Sequence, residues 1–306
     1  CFWKDKSSWL LHDRTKMKKI FILIPVYNDW ESLIKLLDEI SKSVQNLKNY
    51  EFRCIVVNDA STAAQPKLSK PLKFRSLKII NMKENRGHAR CNAYGLKYIN
   101  STEIYDYVIL MDGDGEDRPE EIQNLLEKIE NNPQISVVAK RAKRSEGPLF
   151  KSLYKIHKII TFIFTGKKIN FGYFSCLTKY DINILLNRAS LWNNYSGSVK
   201  KHLNKYNEIN SVRGYRYFGP SQMSLLNLVI HSFSIISVFK YSVFLRSSFL
   251  IIILSFLMPF IGLSSIILQI LLVIFNLLIF FISLRENKEY FLNSDKNVKN
   301  IENIIH

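Results

Sequence analysis

The stretch YVILMDGDGED, residues 107–117, joins an unbroken apolar run to a cluster of acidic residues and glycines. An apolar run of this length is typical of a β-strand that is buried on both faces. The acidic residues follow at the point where such a strand ends. Ligands of open α/β sheets bind beyond the carboxyl ends of the strands, so the stretch predicts a ligand site at that edge.

Apolar runs and helical periodicity alternate along the chain around this stretch. Further strands are predicted at residues 20–25, 52–57, 77–81 and 135–139, and helices at 30–47, 88–99 and 119–129. A weaker pattern after residue 172 predicts a strand at 173–177, helical segments to about residue 206 and a strand near 211–217. This alternation predicts an α/β fold with a doubly wound, mostly parallel sheet.

The carboxyl-terminal region has the composition of a membrane segment. Residues 247–284 contain no charged side chain over 38 positions. One helical crossing needs about 20 apolar residues, so two helices fit, with a turn at Pro259 and Gly262. Arg246 and Arg285 flank the stretch, and the positive-inside rule then places both ends in the cytoplasm.

A second uncharged stretch, residues 217–239, precedes this hairpin. Its polar side chains recur at steps of three and four residues, which predicts a helix with one polar stripe. Such a helix suits the bilayer interface, and a third membrane crossing is the alternative. The stripe consists of Ser224, Asn227, His231 and Ser234.

The chain is strongly basic, with a formal net charge of +17. A charge of this size suits nucleic acid, an anionic membrane surface or phosphate-bearing substrates. No nucleic-acid-binding motif occurs, so we expect a membrane and phosphorylated substrates as partners and no nucleic acid. The four cysteines are too far apart in sequence to suggest a zinc site or a disulfide framework.

The acidic cluster has the chemistry of a divalent-cation site. Oxygen ligands from Asp112, Asp114 and Glu116 suit Mg²⁺ or Mn²⁺. A cation there would bridge a diphosphate and neutralise the charge that builds on a departing nucleotide diphosphate. An acidic turn that caps the next helix is the alternative. An EF-hand is a weaker alternative because Pro119 and Ile122 occupy later ligand positions.

Three more motifs accompany this cluster, at residues 25–28, 57–61 and 85–95. Together with residues 112–120, they resemble family 2 glycosyltransferases of the GT-A fold over about residues 19–246. Within that family, the chain is similar to membrane-anchored dolichyl- and polyprenyl-phosphate sugar transferases. The resemblance implies a nucleotide-diphosphate sugar as donor and a divalent cation, Mg²⁺ or Mn²⁺, as cofactor.

The resemblance also implies roles for individual residues. Asp112, Gly113 and Asp114 match the motif that binds the sugar diphosphate and the metal, and Glu116 stands where many relatives have a glutamine metal ligand. Arg141 matches a phosphate-contacting arginine. The predicted catalytic residues are therefore Asp112, Asp114 and Arg141. The walls of the nucleotide pocket are predicted from Pro25, Tyr27, Asp29, Val57 and Asp59.

The acceptor is predicted from the charges around the site. A phosphate acceptor is already ionised near neutral pH, whereas a hydroxyl acceptor needs a general base. Asp181 and Glu208 are the only acids between residues 169 and 220, and neither is a convincing base. Arginines, by contrast, suit phosphate oxygens. The predicted acceptor-phosphate ligands are Arg141, Arg144 and Arg216.

We therefore expect an inverting transferase that glycosylates a membrane polyprenyl phosphate in cell-envelope biogenesis. Transfer to a sugar hydroxyl of a lipid-linked glycan or other polysaccharide is an alternative, as is a non-catalytic scaffold that binds nucleotide. Relatives often have a lysine where Gln222 follows Ser221, a departure that weakens the acceptor assignment. A homo-oligomer is compatible with the sequence.

The expected organisation has five parts. Residues 1–17 form an amino-terminal extension, since Met17 is the first methionine. The remaining parts are a GT-A catalytic domain (18–219), a juxtamembrane interfacial helix (220–246), a transmembrane helical hairpin (247–284) and a cytoplasmic tail (285–306). The resulting protein is a multi-pass membrane protein whose catalytic domain is cytoplasmic.

Overall fold

Eight strands form one sheet in the computed structural model, which describes residues 17–67, 72–143, 148–219 and 225–305. The order across the sheet is β7-β5-β6-β4-β1-β2-β3-β8. The strands are β1 (Lys18–Val26), β2 (Tyr50–Asn58), β3 (Ser76–Met82), β4 (Tyr107–Leu110), β5 (Val137–Lys143), β6 (Phe171–Thr178), β7 (Asn207–Val212) and β8 (Val298–Ile305).

The centre of the sheet is parallel, as predicted, and its outer part is mixed. Strands β4, β1, β2 and β3 are parallel to one another. β6 is antiparallel to both β4 and β5, and β8 is antiparallel to β3. Because β6 reverses direction between them, β5 runs the same way as β4. The carboxyl ends of β1, β2, β4 and β5 therefore meet at one edge.

Helices cover both faces of this sheet. The predicted helices are present, and a helix at Pro148–Thr165 lies where none was predicted. Strand β7 also begins and ends earlier than the predicted strand near residues 211–217. The described α-helices are α1 (Trp30–Val44), α2 (His88–Thr102), α3 (Ile122–Glu130), α4 (Pro148–Thr165), α5 (Lys179–Leu186), α6 (Ser190–Asn193), α7 (Tyr195–His202), α8 (Leu225–Ser237), α9 (Lys240–Ile261), α10 (Leu263–Ser283) and α11 (Lys288–Leu292).

Strand β1 is buried on both faces, as its uninterrupted apolar run predicts. Side chains alternate between the two faces of a strand. Ile22 and Ile24 pack on the side of α1 and α3, whereas Phe21 and Leu23 pack on the side of α2. A Cβ at Gly95 would lie 2.3 Å from Leu23 Cδ1, so this glycine lets α2 pack closely against the sheet.

Helices α9 and α10 form the predicted apolar pair. They meet at Gly262, whose φ of +55° is a conformation that favours glycine. Both are long and apolar enough to cross a membrane by length and composition, and their side chains are largely exposed. A helix in a soluble core would bury such side chains, so the exposure favours a surrounding of lipid.

The carboxyl-terminal part of helix α8, which contains Ser234 of the predicted polar stripe, packs on the catalytic domain, whereas Asn227 of the stripe is exposed. Ser234 and Ser237 are buried, and Asn193 Nδ2 donates a 2.9 Å hydrogen bond to Ser237 Oγ. Leu226 and Val229 are exposed. At 1.5 Å per residue, the described part of α8 is about 20 Å long, which is shorter than a membrane crossing, and the third crossing stays an untested alternative. Residues 220–224 of the predicted interfacial helix, including Ser224, lie outside the described residues.

The segment predicted as a tail returns to the sheet. Strand β8 pairs with β3, so that Ile301 lies opposite Ile80, and Asn81 Nδ2 donates a 2.8 Å hydrogen bond to Glu302 Oε1. Phe291 of α11 is buried and stacks on Trp192 with ring centroids 5.4 Å apart. The sheet therefore contains residues from both sides of the hairpin.

Candidate active site

The acidic loop after β4 lies at the edge where the parallel strands end. Gly113 packs so closely on β1 that an added Cβ would lie 2.8 Å from the Pro25 carbonyl oxygen. Gly115 has a φ of +87°, which side chains other than glycine rarely adopt. The two glycines thus allow Asp112 and Asp114 to sit on a tight loop against the end of the sheet.

Asp112 is held from three directions. Its backbone N–H donates a 2.9 Å hydrogen bond to Asp117 Oδ2, His88 Nε2 lies 3.1 Å from its Oδ1, and Arg141 Nη2 lies 3.9 Å from its Oδ2. Burial by itself would raise the pKa of Asp112, but the nearby His88, Arg141 and Arg213 side chains outweigh burial and hold that pKa below its ordinary value. Asp112 is therefore an anion at neutral pH.

Asp114 has the opposite shift. Burial, followed by the negative charge of Asp112, raises the pKa of Asp114 to about 6, and Arg216 and Arg213 only partly oppose this. Arg216 Nη1 donates a 3.0 Å hydrogen bond to Asp114 Oδ2, and the same guanidinium pairs with Asp29. Arg216 was predicted to bind the acceptor phosphate, but in this structure it bridges two acids assigned to the donor.

Residues 213–218 cross over the acidic loop. Gly214 N–H donates a 2.8 Å hydrogen bond to the Glu116 carbonyl oxygen, and Tyr217 N–H donates a 3.0 Å hydrogen bond to that of Asp114. The side chains of Arg213 and Glu116 also form an ion pair. Backbone and side-chain contacts thus join this segment to the predicted metal ligands.

The predicted walls of the nucleotide pocket are placed as follows. Tyr27 is exposed next to the end of β1. The Asp59 carboxylate is buried and accepts hydrogen bonds from the backbone N–H groups of Arg86, at 2.9 Å, and Gly87, at 2.8 Å. The Val57 side chain is fully buried in the core. Contact of Val57 and Asp59 with a nucleotide stays a prediction.

The family follows from comparison with known proteins. Residues 21–194, more than half of the chain, match the model of the family described as Glycosyl transferase family 2. The chain belongs to this family.

Curated relatives of this family 2 chain include two proteins named undecaprenyl-phosphate 4-deoxy-4-formamido-L-arabinose transferase. The protein from Proteus mirabilis (strain HI4320) is 26% identical over 219 residues, covering 70% of this chain and 65% of the relative. The protein from Serratia proteamaculans (strain 568) is 26% identical over 220 residues, with the same coverage. The chain thus spans 65% of the length of these relatives.

Solved structures show the same architecture. Glucosyl-3-phosphoglycerate synthase from Mycobacterium tuberculosis with uridine diphosphate has a TM-score of 0.53 at 14% identity, covering 79% of this chain and 86% of that chain. A complex of that synthase with Mn²⁺, UDP-glucose and phosphoglyceric acid has a TM-score of 0.51 at 15% identity, covering 74% and 80%. At these identities the likeness concerns the fold, and it confirms the predicted GT-A architecture.

The predicted phosphate ligand Arg141 lies beside the acidic loop. A Cβ at Gly172 would lie 2.5 Å from Arg141 Nη2, so the glycine leaves room for the guanidinium at its observed position against β6. This places a positive charge next to Asp112. Arg144, the other predicted phosphate ligand beyond β5, lies outside the described residues, as do Ser221 and Gln222.

The two acids that could serve a hydroxyl acceptor do not lie beside the acidic loop. Asp181 Oδ2 accepts hydrogen bonds from Ser136 N–H, at 3.2 Å, and Ser136 Oγ, at 2.5 Å. Thr178 pairs with Tyr107, at the start of β4, so Asp181 lies near the opposite edge of the sheet. Glu208 lies on β7, three strands from β4 across the sheet, and its carboxylate is 3.7 Å from Lys140 Nζ. Neither acid is placed to act as a base on the acceptor.

Three residues near Asp112 were missed or given no role by the sequence analysis. Asp117 was not singled out, Arg213 was noted as an available cation but not included among the predicted ligands, and His88 was interpreted as a structural polar residue. The His88 ring packs edge-on against Tyr173, with centroids 4.3 Å apart. Only the acidic clustering around Asp117 could have indicated one of these roles from sequence.

Part of the predicted metal site fits a divalent cation. Asp112 Oδ1 is buried, and no described residue donates an aligned hydrogen bond to it, although His88 lies nearby. A buried anionic oxygen without an aligned hydrogen-bond donor is a suitable ligand for a divalent cation. Among the described residues, no three His, Cys, Asp or Glu side chains converge as a ready-made site. Glu116 as a third ligand therefore stays a prediction.

Proposed function

We propose that this chain transfers a sugar, with inversion, from a nucleotide diphosphate to a polyprenyl phosphate at a membrane surface. The observation that carries the proposal is the charge arrangement at the sheet edge. Asp112 of the acidic loop lies beside Arg141, whereas Asp181 lies toward the other edge of the sheet and Glu208 lies on β7, three strands from β4, with its carboxylate 3.7 Å from Lys140 Nζ. A phosphate acceptor needs the arginine and no base, so the site favours that acceptor over a hydroxyl.

The comparisons support the same substrate class. The curated relatives at 26% identity are named as undecaprenyl-phosphate sugar transferases. The structural neighbour of similar fold was crystallised with Mn²⁺ and UDP-glucose. For this chain we infer a nucleotide-diphosphate sugar as donor, a lipid phosphate as acceptor and a divalent cation as cofactor.

Asp112, Asp114 and Glu116 would hold the cation, which neutralises charge on the departing nucleotide diphosphate. Arg141 orients an acceptor phosphate oxygen toward the anomeric carbon. That oxygen forms the new bond to carbon, and the bonding electrons of the old bond leave with the nucleotide diphosphate. Arg216 must release Asp114 for a cation to bind there, and its freed guanidinium can then pair with the diphosphate.

The hairpin supports a membrane location with the catalytic domain on the cytoplasmic face. α9 and α10 would cross and return, since β8 after them belongs to the same sheet as β1 before them. Arg246 and Arg285 flank the apolar stretch, and the positive-inside rule assigns such ends to the cytoplasm. A multi-pass anchor of this kind would hold the site next to its lipid substrate.

The test uses the full chain in vesicles that contain undecaprenyl phosphate, with a panel of radiolabelled nucleotide sugars and Mn²⁺. We expect label in the lipid fraction. Asp114→Ala should abolish this labelling without unfolding the protein, whereas Glu127→Ala, on the exposed side of α3, should leave it unchanged. Full activity in Asp114→Ala would contradict the proposal. Label that enters the lipid fraction only when a lipid-linked glycan replaces undecaprenyl phosphate in the vesicles would instead favour the hydroxyl acceptor.

A further inference from the structure

The side chain of Tyr217 joins residues 213–218, which cross over the acidic loop, to helix α1. Its hydroxyl donates a hydrogen bond to Glu39 Oε2, and Lys35 Nζ lies over its ring, 4.4 Å from the ring centroid. Lys35 and Glu39 lie one helical turn apart, with Nζ and Oε1 separated by 3.9 Å. A cation over an aromatic ring is attracted to its face. Two charged side chains of α1 therefore hold the tyrosine, one at its hydroxyl and one at its ring.

The Tyr217 ring also lies against the acidic loop itself. A Cβ at Gly115 would lie 2.3 Å from Tyr217 Cε2, so the ring occupies the space that a side chain at residue 115 would fill. The backbone N–H of Tyr217 donates its 3.0 Å hydrogen bond to the Asp114 carbonyl oxygen. Tyr217 is thus attached to the loop that carries Asp114 as well as to α1.

Arg216 is the residue whose place this attachment determines. Its Nη1 donates the 3.0 Å hydrogen bond to Asp114 Oδ2, and its Nη2 pairs with Asp29. Its Nε donates a 3.1 Å hydrogen bond to the Phe218 carbonyl oxygen. A long arginine side chain loses rotamer freedom when it binds an anion, and a fixed backbone reduces the remaining entropy cost. The position of Tyr217 therefore affects how well Arg216 can bind an anion at this edge.

We infer that Tyr217 is a positioning residue for Arg216 and keeps its guanidinium beside the donor diphosphate. This inference rests on the proposed function. Arg216 and a divalent cation compete for the Asp114 carboxylate. The backbone bond and the ring contact of Tyr217 do not involve that carboxylate. Residues 213–218 can therefore stay on the acidic loop while the guanidinium leaves Asp114 for a phosphate oxygen, which arginine binds well.

The experiment measures binding to the full chain in detergent. Mn²⁺ is titrated alone and followed by the electron paramagnetic resonance signal of the free ion, and UDP or GDP is titrated calorimetrically at saturating Mn²⁺. We expect Tyr217→Ala to weaken nucleotide binding about tenfold, which corresponds to about 1.4 kcal/mol. The affinity for Mn²⁺ alone should not fall, because Arg216 then competes less for Asp114. Tyr217→Phe keeps the ring and loses only the bond to Glu39, so it should weaken nucleotide binding about threefold.

Arg216→Ala tests whether Tyr217 acts through Arg216. The double variant Arg216→Ala/Tyr217→Ala should bind the nucleotide no more weakly than Arg216→Ala, because it has no guanidinium to position. Tyr180→Ala is the matched control, since Tyr180 is an exposed tyrosine on α5. It should bind Mn²⁺ and the nucleotide as the unaltered chain does.

Additive losses in the double variant would overturn the inference, and so would unchanged nucleotide binding in Tyr217→Ala. An equal loss of Mn²⁺ and nucleotide affinity in Tyr217→Ala would also overturn it, because the tyrosine would then only maintain the shape of the acidic loop. Where Tyr217→Ala does not fold, unchanged nucleotide binding in Tyr217→Phe would be decisive against it. An unaltered chain that binds Mn²⁺ and nucleotide but labels no lipid would refute the proposed acceptor alone.

Discussion

Replacement of Asp117 tests how the acidic loop is held. Asp117 is buried, and its Oδ2 accepts a 2.9 Å hydrogen bond from Asp112 N–H. Burial and the neighbouring charge of Asp112 raise the pKa of Asp117 well above its ordinary value. The bond therefore needs an acceptor oxygen but no negative charge. We expect Asp117→Asn to keep it and Asp117→Leu to lose it.

The size of the loss follows from the donor that Asp117→Leu leaves unpaired. An unpaired buried donor costs about 1–3 kcal/mol, and we expect about 1–2 kcal/mol because this bond is only part-buried. For a domain of this size, that lowers the thermal midpoint by about 2–8 °C. If the same free energy is lost from the loop that binds the cation, Mn²⁺-dependent nucleotide binding weakens about 5- to 30-fold.

Thermal unfolding of the full chain in detergent gives the first quantity, and titration calorimetry with Mn²⁺ and either UDP or GDP gives the second. Asp117→Asn should match the unaltered chain in both. If Asp117→Asn and Asp117→Leu lowered the thermal midpoint and weakened nucleotide binding equally, the reasoning would be refuted, because the ionised carboxylate would then be required. A harmless Asp117→Leu would show that the bond to Asp112 contributes nothing.

Three further substitutions or deletions probe other parts of the molecule. Gly113→Ala should destabilise the protein by about 1–3 kcal/mol and weaken Mn²⁺-dependent nucleotide binding, because its Cβ would meet the Pro25 carbonyl oxygen; unchanged calorimetric titrations would contradict this. Removal of residues 298–306 should lower the thermal midpoint and promote aggregation in light scattering, since β3 becomes an edge, whereas the exposed-site change Lys299→Ala should do neither. Burial lowers the pKa of His202 to about 4, so the neutral ring favours the folded state above its ordinary pKa, and this contribution to stability is lost as the pH falls toward 4. We therefore expect His202→Gln to flatten the pH dependence of the free energy of unfolding between pH 6.5 and 4.

The central strands could be predicted because the apolar residues that make them buried are consecutive in the sequence. Residues 20–25 are apolar without interruption, and they lie inside β1, which is covered on both faces. The acidic loop was likewise predicted at the ligand-binding edge, because topology alone places the ends of parallel strands together.

Helix α4 and strand β8 could not be predicted in the same way, because each depends on a partner distant in sequence. Phe164 of α4 packs on Phe275, and β8 pairs with β3 more than 200 positions earlier. The ion pairs of the site could not be predicted for the same reason, because their partners are distant in sequence. Arg216 reaches Asp114 across 102 positions, through loops whose path no periodic pattern determines.

The segments just before and just after the hairpin contact neighbouring residues of the short helix α6. Before the hairpin, Ser237 bonds to Asn193, and after it, Phe291 stacks on Trp192. In a bilayer, these two contacts would make the hairpin and the sheet tilt together as one rigid body. Thinner or thicker lipids would then change the height of the acidic loop above the membrane, so turnover should depend on acyl-chain length even with a water-soluble donor.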